Sequence, residues 1–330
     1  MHKRGNYVIV KCRKKAKCER GILPMKAYER FVKYVTVRTP SDDSSSTVPS
    51  SMCQFDLAKV LEAEMKELGL VDVETDDMCY LYGKLPATPG YEDKPAIGFI
   101  AHMDTVADFV EDEIVPVLHE NYNGESFELG NSGRILSTEV FPHLKDLKGR
   151  TLITTNGNTI LGADDKAGIA EILTVMETLI KENIPHGPLC VAFTPDEEIG
   201  TGAAHFNVEK FGADFAYTMD GEIEGEIQYE SFNAAKAVFD ITGFSVHPGT
   251  SKDTMINACL VAMEINNMLP GFETPRGTEK YEGFYHLTNM SGDVTKAQLS
   301  YLVRDHDAKF LEGRKNVLRL IEKNMNEKWG

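Results

Sequence analysis

The stretch that decides the fold is PLCVAFTPDEEIG, residues 188–200, in which an apolar run leads directly into three acidic side chains. The run is short, apolar and bounded by turn residues, so it predicts a β-strand that is buried on both faces. Asp196, Glu197 and Glu198 follow the carboxyl end of that strand, which is where ligands bind in open α/β sheets. Adjacent carboxylates repel one another unless a cation holds them. The pattern favours a metal site, with a solvated acidic turn before a helix as the alternative.

Length and composition indicate a soluble protein that is large enough for two domains. The chain has 330 residues, of which 42% are hydrophobic, and its formal net charge is −16. A chain of this length exceeds what one hydrophobic core usually serves. The acidic charge argues against nucleic acid and anionic membranes as partners, and no apolar stretch approaches the length of a transmembrane helix.

The first 24 residues differ from the rest of the chain in charge. They contain eight Lys and Arg against one Glu, and helical spacing of apolar residues begins only after Met25. We expect residues 1–24 to be a basic extension outside the fold, with no targeting role. The six cysteines include no Cys-x-x-Cys pair, which is typical of free thiols in a reducing compartment and predicts a cytoplasmic protein.

Strand-like and helical patterns alternate over residues 25–230, which predicts an α/β sandwich around a mostly parallel sheet. Residues 108–150 look irregular. Residues 231–330 contain two strand-like stretches and two helical ones, so we expect a smaller α+β domain there. The main predicted elements are helices over 56–68, 254–269 and 307–323 and strands over 95–101, 188–194, 213–219, 235–242 and 297–303.

Candidate metal ligands recur at four places that we predict to lie at strand ends. One imidazole among several carboxylates is typical of zinc, with manganese and cobalt as alternatives. In the His-x-Asp pair the two side chains share one strand face, so Asp104 can orient the imidazole of His102. The four places are His102 with Asp104, Asp164 with Asp165, Glu197 with Glu198, and Asp220.

Five sequence motifs, three of which contain candidate ligands, resemble the motifs of one known family. They are GFIAHMDT at 98–105, LGADDKAGIAEI at 161–172, VAFTPDEEIG at 191–200, VHPGTSK at 246–252 and YLVRD at 301–305. Together they resemble the peptidase T family of tripeptide aminopeptidases, which belongs with the dinuclear-zinc enzymes that include carboxypeptidase G and the aminoacylases. The resemblance implies a zinc-peptidase sandwich over 25–230 and a lid or dimerisation domain over 231–330, through which a homodimer would form.

The resemblance also implies a role for each motif residue in removing the N-terminal residue of a tripeptide. Glu197 would be the general base for a metal-activated water, and Asp104 would be the carboxylate that supports the metal ligands. Asp164 would bridge the two zinc ions and would be joined to Asp165 by a cis peptide bond. The implied zinc ligands are His102, Asp164, Glu198 and Asp220.

In the second domain the resemblance implies three substrate contacts. His247 would reach the oxyanion of the tetrahedral intermediate, with Asn257 nearby. Arg304 would hold the terminal carboxylate of the peptide, because a planar guanidinium meets a carboxylate with two parallel hydrogen bonds.

The family pattern continues beyond the last motif of this sequence with a segment that carries the final histidine ligand of the second zinc. We therefore expect this chain by itself to bind one zinc ion well and the second poorly, with low peptidase activity. Two other functions stay open, a related dipeptidase or amino-acid deacylase and a catalytically impaired metal-binding protein. The stretches FNAA at 232–235 and YEGFYHL at 281–287 favour the tripeptide aminopeptidase.

Overall fold

The structure is a computed structural model that describes residues 24–109, 113–221 and 225–330. The chain divides into two compact units, and the second, the C-terminal unit, begins at Gly225, slightly before the expected boundary at residue 230. The described residues before that point form the N-terminal unit. The expected basic extension lies outside the described residues apart from Pro24. No helix in the described ranges is long and apolar enough to cross a membrane.

The N-terminal unit contains nine of the strands that the structure describes and four of its α-helices. The strands are β1 (Val71–Thr75), β2 (Leu81–Leu85), β3 (Ile97–His102), β4 (Pro116–His119), β5 (Phe127–Glu128), β6 (Ile135–Leu136), β7 (Leu152–Thr155), β8 (Leu189–Thr194) and β9 (Phe215–Thr218). The helices are α1 (Ala27–Val35), α2 (Gln54–Leu68), α3 (Ala163–Lys181) and α4 (Val208–Phe211), with a 3₁₀ helix at Pro142–Leu147.

Five strands form the main sheet, in the order β1-β2-β8-β3-β9. Strand β3 is parallel to both β8 and β9, whereas β1 with β2 and β2 with β8 are antiparallel. The α/β class is confirmed, but the sheet is mixed rather than mostly parallel. A tight turn joins β1 to β2, and a connection that short can only make a hairpin.

Strand β8 is buried along its whole length, as its apolar run predicts. Val191 and Phe193 belong to the core that the sheet forms with α1, α2 and α3. Cys190 and Ala192, which point to the opposite face, belong to a second cluster beside α4. Because successive side chains of a strand alternate between faces, this arrangement places β8 at the centre of the sandwich.

Helix α2 ends where the sequence predicts. Gly69 has φ +89°, a left-handed conformation that glycine adopts without steric cost. The irregular stretch at 108–150 contributes two small ladders, β4 with β7 and β5 with β6. Strand β7 therefore lies outside the main sheet.

The C-terminal unit is an antiparallel sheet covered by two helices, which confirms the α+β prediction. Its elements are β10 (Asn233–Thr242), α5 (Ala258–Asn267), β11 (Phe284–Gly292), β12 (Lys296–Asp305) and α6 (Ala308–Trp329), with a 3₁₀ helix at Pro248–Thr250. The strand order is β10-β12-β11. Leu299, Tyr301 and Val303 of β12 form the core with α5 and α6.

Three details of the C-terminal unit differ from the sequence prediction. Helix α6 continues to Trp329, six residues past its predicted end. Strand β11 was missed because its second half is polar and exposed, which hides the strand pattern. Helix α5 begins later than predicted because Asn257 caps it, accepting the N–H groups of Cys259 and Leu260.

Candidate metal centre and active site

Three of the four predicted ligand positions lie at one edge of the main sheet. Strands β8, β3 and β9 are adjacent and parallel, so their carboxyl ends meet. His102 is the last residue of β3 and pairs in register with Thr194. Glu197 and Glu198 follow the end of β8, and Asp220 follows the end of β9.

The fourth position was wrongly placed at a strand end. Strand β7, which precedes Asp164 and Asp165, pairs with β4 and not with the main sheet. The two aspartates instead lie in the first turn of α3, which carries them to the same edge. Their peptide bond is cis, as the resemblance implied.

The side chains at this edge surround the imidazole of His102, which is 1% exposed. Its Nε2 lies 2.9 Å from Asp164 Oδ1, 3.9 Å from Glu197 Oε2 and 4.0 Å from Asp220 Oδ2. Two sets of candidate ligands, each with its ligand atoms within 4.8 Å of one another, share this histidine. They are His102 with Asp165 and Asp220, and His102 with Asp164 and Glu198.

The pKa values of the clustered side chains are those expected of a site that binds a metal ion. Burial raises the pKa of Asp165 to about 8, and burial with the charge of Asp164 raises the pKa of Asp220 to about 6. Burial would lower the pKa of His102, but hydrogen bonds to Asp104 and Asp164 outweigh it and raise that pKa to about 11. Burial thus disfavours the ionised form of two carboxyl groups that lie beside one imidazole. A divalent cation among these carboxylate and imidazole donors would supply the positive charge, so the donor set fits such an ion.

Asp104 links the histidine to the acidic turn. It is completely buried, and its Oδ1 lies 3.3 Å from Nδ1 of His102. The same carboxylate accepts the backbone N–H groups of Glu197 at 2.9 Å and of Glu198 at 3.1 Å. Asp104 therefore orients both the imidazole and the backbone of the turn that carries the two glutamates.

Asp165, a candidate metal ligand that the family resemblance left out of the zinc ligands, also makes backbone contacts in the cluster. Its buried carboxylate accepts the backbone N–H groups of His102 and of Gly168, each at 3.2 Å. A Cβ at Gly168 would lie 2.2 Å from the carbonyl oxygen of Met219 and 2.4 Å from Asp165 Oδ1. The glycine three residues after Asp165 is the sequence signal for this close approach.

The three candidate substrate residues lie in the C-terminal unit. His247 is exposed, and its Nδ1 accepts the N–H of Gly249 at 3.1 Å. Asn257 uses its carbonyl oxygen to cap α5. The guanidinium of Arg304 lies 4.1 Å from the ring centroid of Phe232, and its buried Nε has no hydrogen-bond partner among the described residues.

Two family models match the chain. Residues 147–239 match the model described as M42 glutamyl aminopeptidase, and residues 229–330 match the peptidase dimerisation domain. Among solved structures, aminopeptidase PepT from Bacillus cereus superposes with a TM-score of 0.67 at 23% identity, covering 92% of this chain and 73% of that one. A tripeptidase from Staphylococcus aureus gives a TM-score of 0.65 at 21% identity, covering 92% and 72%. These likenesses show the fold.

A sequence relative shows the family. Peptidase T from Bacillus cereus (strain G9842) is 50% identical over 304 residues, which cover 92% of this chain and 74% of that protein. Peptidase T from an Exiguobacterium species is also 50% identical, over 307 residues. The chain therefore belongs to the peptidase T family, and it is a peptidase.

Proposed function

We propose that this protein is a zinc-dependent aminopeptidase that releases the N-terminal residue of tripeptides. The observation that carries the proposal is the cluster of carboxylates around the buried imidazole of His102 at the carboxyl edge of the sheet. The relatives named peptidase T and the similar fold of a tripeptidase support the choice of substrate.

The proposed zinc ligands are His102, Asp164, Glu198 and Asp220, with Asp164 shared between two ions. One imidazole with several carboxylates suits zinc, although manganese and cobalt accept the same donors. When bound, the metal would supply an activated water and polarise the scissile carbonyl. In support of this set, Asp164 lies in the first turn of α3 and its Oδ1 is 2.9 Å from His102 Nε2, and His102, Asp164 and Glu198 have ligand atoms within 4.8 Å of one another.

Glu197 is the proposed general base. Its side chain is 51% exposed and lies 3.9 Å from His102 Nε2, whereas its backbone N–H is held by Asp104. The backbone of Glu197 is therefore held in place, whereas its carboxylate is exposed and can meet a substrate. In this role it takes a proton from the attacking water and gives it to the leaving amine.

The C-terminal unit is the proposed source of the remaining substrate contacts. The guanidinium of Arg304 lies over the ring of Phe232, and its Nε has no hydrogen-bond partner among the described residues, so we propose that it binds a peptide carboxylate. His247 and Asn257 are proposed to bind the substrate beside it. We also propose a cytoplasmic homodimer that forms through this unit, which matches the peptidase dimerisation domain. Light scattering of the purified protein would test the dimer.

A substrate panel tests the proposed activity. The chain, loaded with zinc, is incubated with a tripeptide, a dipeptide and an N-acyl amino acid, and release of the free amino acid is followed. We expect turnover of the tripeptide to depend on Glu197, so that Glu197→Gln lowers kcat by about 10²–10⁴-fold. Glu209→Gln, an exposed glutamate of the same unit, is the matched control. Faster turnover of the dipeptide or the acyl amino acid would overturn the substrate choice, and unchanged activity of Glu197→Gln would overturn the base.

A further inference from the structure

The turn that carries Glu197 and Glu198 begins at a residue with an uncommon backbone conformation. Asp196 has φ +56°, in the left-handed region that residues other than glycine seldom occupy. Its backbone carbonyl accepts the N–H of Thr201 at 3.1 Å, which closes the turn. Something outside the turn must therefore hold Asp196 in this conformation.

The side chain of Asp196 is anchored to the start of α2, far away in sequence. Its buried carboxylate accepts the N–H of Ser50 at 2.8 Å, the hydroxyl of Ser50 at 2.5 Å and the amide nitrogen of Gln54 at 2.7 Å. Gln54 returns the contact, because its Oε1 accepts the backbone N–H of Asp196 at 3.3 Å. Gln54 is itself completely buried, so this reciprocal pair is shielded from water.

We propose that Asp196 is a positioning residue that, with Gln54 and Ser50, aims Glu197 and Glu198 at the metal centre. Asp196 anchors the beginning of the turn to α2, and Asp104 holds the next two backbone N–H groups from the side of β3. The turn cannot rotate without breaking hydrogen bonds on both sides, which fixes the point from which each glutamate side chain leaves. The inference rests on the proposed function, because the direction of the Glu197 and Glu198 side chains matters only if they act at the metal centre.

The experiment compares Asp196→Asn, in which an NH2 donor replaces one of the two oxygens that accept from Ser50 and Gln54, with Gln54→Leu, which removes the partner. Asp76→Asn is the matched control, since Asp76 also accepts backbone N–H groups, those of Met78 and Tyr80, but in the hairpin between β1 and β2. We expect kcat for the tripeptide to fall about tenfold in the first two variants, with KM changed less than about twofold. The control should keep wild-type values.

A swapped pair separates positioning from general damage. In the double variant Asp196→Asn with Gln54→Glu, the amide donates to the new carboxylate and the net charge is unchanged, so we expect kcat to return to within about threefold of wild type. Failure of the swap to restore kcat, or equal losses in the Asp76 control, would overturn the proposal.

Hydrogen exchange gives a readout that does not depend on the substrate. Amides of residues 197–201 should exchange about tenfold faster in Asp196→Asn than in wild type, with α3 and β8 unchanged. Unchanged protection of this segment would overturn the positioning role. If the wild-type protein hydrolyses no tripeptide, the proposed function fails, and the exchange result still decides whether Asp196 holds the turn.

Discussion

Oδ1 of Asp104 accepts the backbone N–H of Glu197 at 2.9 Å, across 93 positions of sequence. Asp104, two residues after the end of β3, thereby fixes the backbone of the proposed general base, while the same carboxylate faces the imidazole of His102. The proposed metal ligand and the proposed base are thus oriented by one buried side chain. Such supporting carboxylates determine how precisely the groups that touch metal and substrate are held.

Replacing this carboxylate tests that link. Asp104→Asn places an amide N–H opposite either the imidazole or the backbone N–H groups of the turn, so one of these hydrogen bonds is lost. We expect metal affinity or kcat to fall by about 10–100-fold, as measured by chelator competition and tripeptide turnover. Asp146→Asn, at an exposed position in the same unit, is the control. Wild-type behaviour of Asp104→Asn would show that the carboxylate does not orient the centre.

Metal content should show how many ions the two sets of ligands hold. Both sets use His102, so within the described residues only one ion can have an imidazole ligand. A second ion would depend on carboxylates such as Asp164 and Glu198. We expect about one zinc ion per chain to survive dialysis against metal-free buffer, as measured by inductively coupled plasma mass spectrometry, and His102→Gln to retain none. Two ions retained by the wild-type chain would contradict this expectation.

Arg304 should contribute to substrate binding more than to chemistry. Lysine keeps the positive charge but loses the planar fork that meets a carboxylate, so we expect Arg304→Lys to raise KM about tenfold with kcat little changed, a loss of roughly 1.4 kcal/mol. Arg276→Lys, at an exposed position of the same unit, should leave KM unchanged. A C-terminally amidated tripeptide lacks the carboxylate, so its KM with wild type should be higher than that of the free tripeptide. For this amidated peptide, Arg304→Lys should not raise KM further. A further loss of equal size would contradict the carboxylate contact.

The buried ion pairs of Arg30 make stability depend on pH. The side chain of Arg30 is 2% exposed and donates to Glu64 and to Glu177, each at 2.7 Å. Burial opposes ionisation of Glu64, but hydrogen bonds from Arg30 and Tyr34 outweigh it and hold the pKa below its usual 4.5. Because the folded-state pKa is lowered, this carboxylate stabilises the fold above pH 4.5 and loses that contribution as the pH falls through the folded-state value.

Urea unfolding of Glu64→Gln at several pH values checks this dependence. We expect the free energy of unfolding to fall by about 3 kcal/mol at pH 7, because Arg30 keeps a buried charge without its full partner. The difference from wild type should shrink towards pH 3. Glu67→Gln, on the exposed face of α2, should change stability by less than about 0.5 kcal/mol. An equal loss for Glu64→Gln at both pH values would refute the mechanism.

Gly168 is required by the close approach of α3 to the chain before Asp220. An added Cβ would overlap the carbonyl oxygen of Met219, so Gly168→Ala should lower the free energy of unfolding by about 1–3 kcal/mol. Gly313 lies in α6 with nothing within 4 Å of an added Cβ, and Gly313→Ala should therefore stabilise by about 0.5–1 kcal/mol. Thermal unfolding of both variants provides the comparison, and a neutral effect at Gly168 would contradict the overlap.

The local sequence pattern predicted those elements that are recognisable from their own residues alone. The apolar run of β8 and the terminating Gly69 of α2 could be identified without tertiary information, because burial of a strand and a left-handed helix end have direct sequence signatures. Strand β11 could not, because six of its nine residues are exposed and its place in the sheet depends on pairing with β12.

The sequence by itself determined which candidate ligands are available and in what order they occur, namely the imidazole of His102 and the paired carboxylates. It also determined the strands that precede three of the four ligand positions. Only the tertiary structure decided that α3, and not a strand, delivers Asp164 to the cluster, and that Asp104 and Asp196 hold the acidic turn from two sides. The physical reason is that hydrogen bonds between buried groups far apart in sequence depend on how strands and helices come together. No local pattern contains that information.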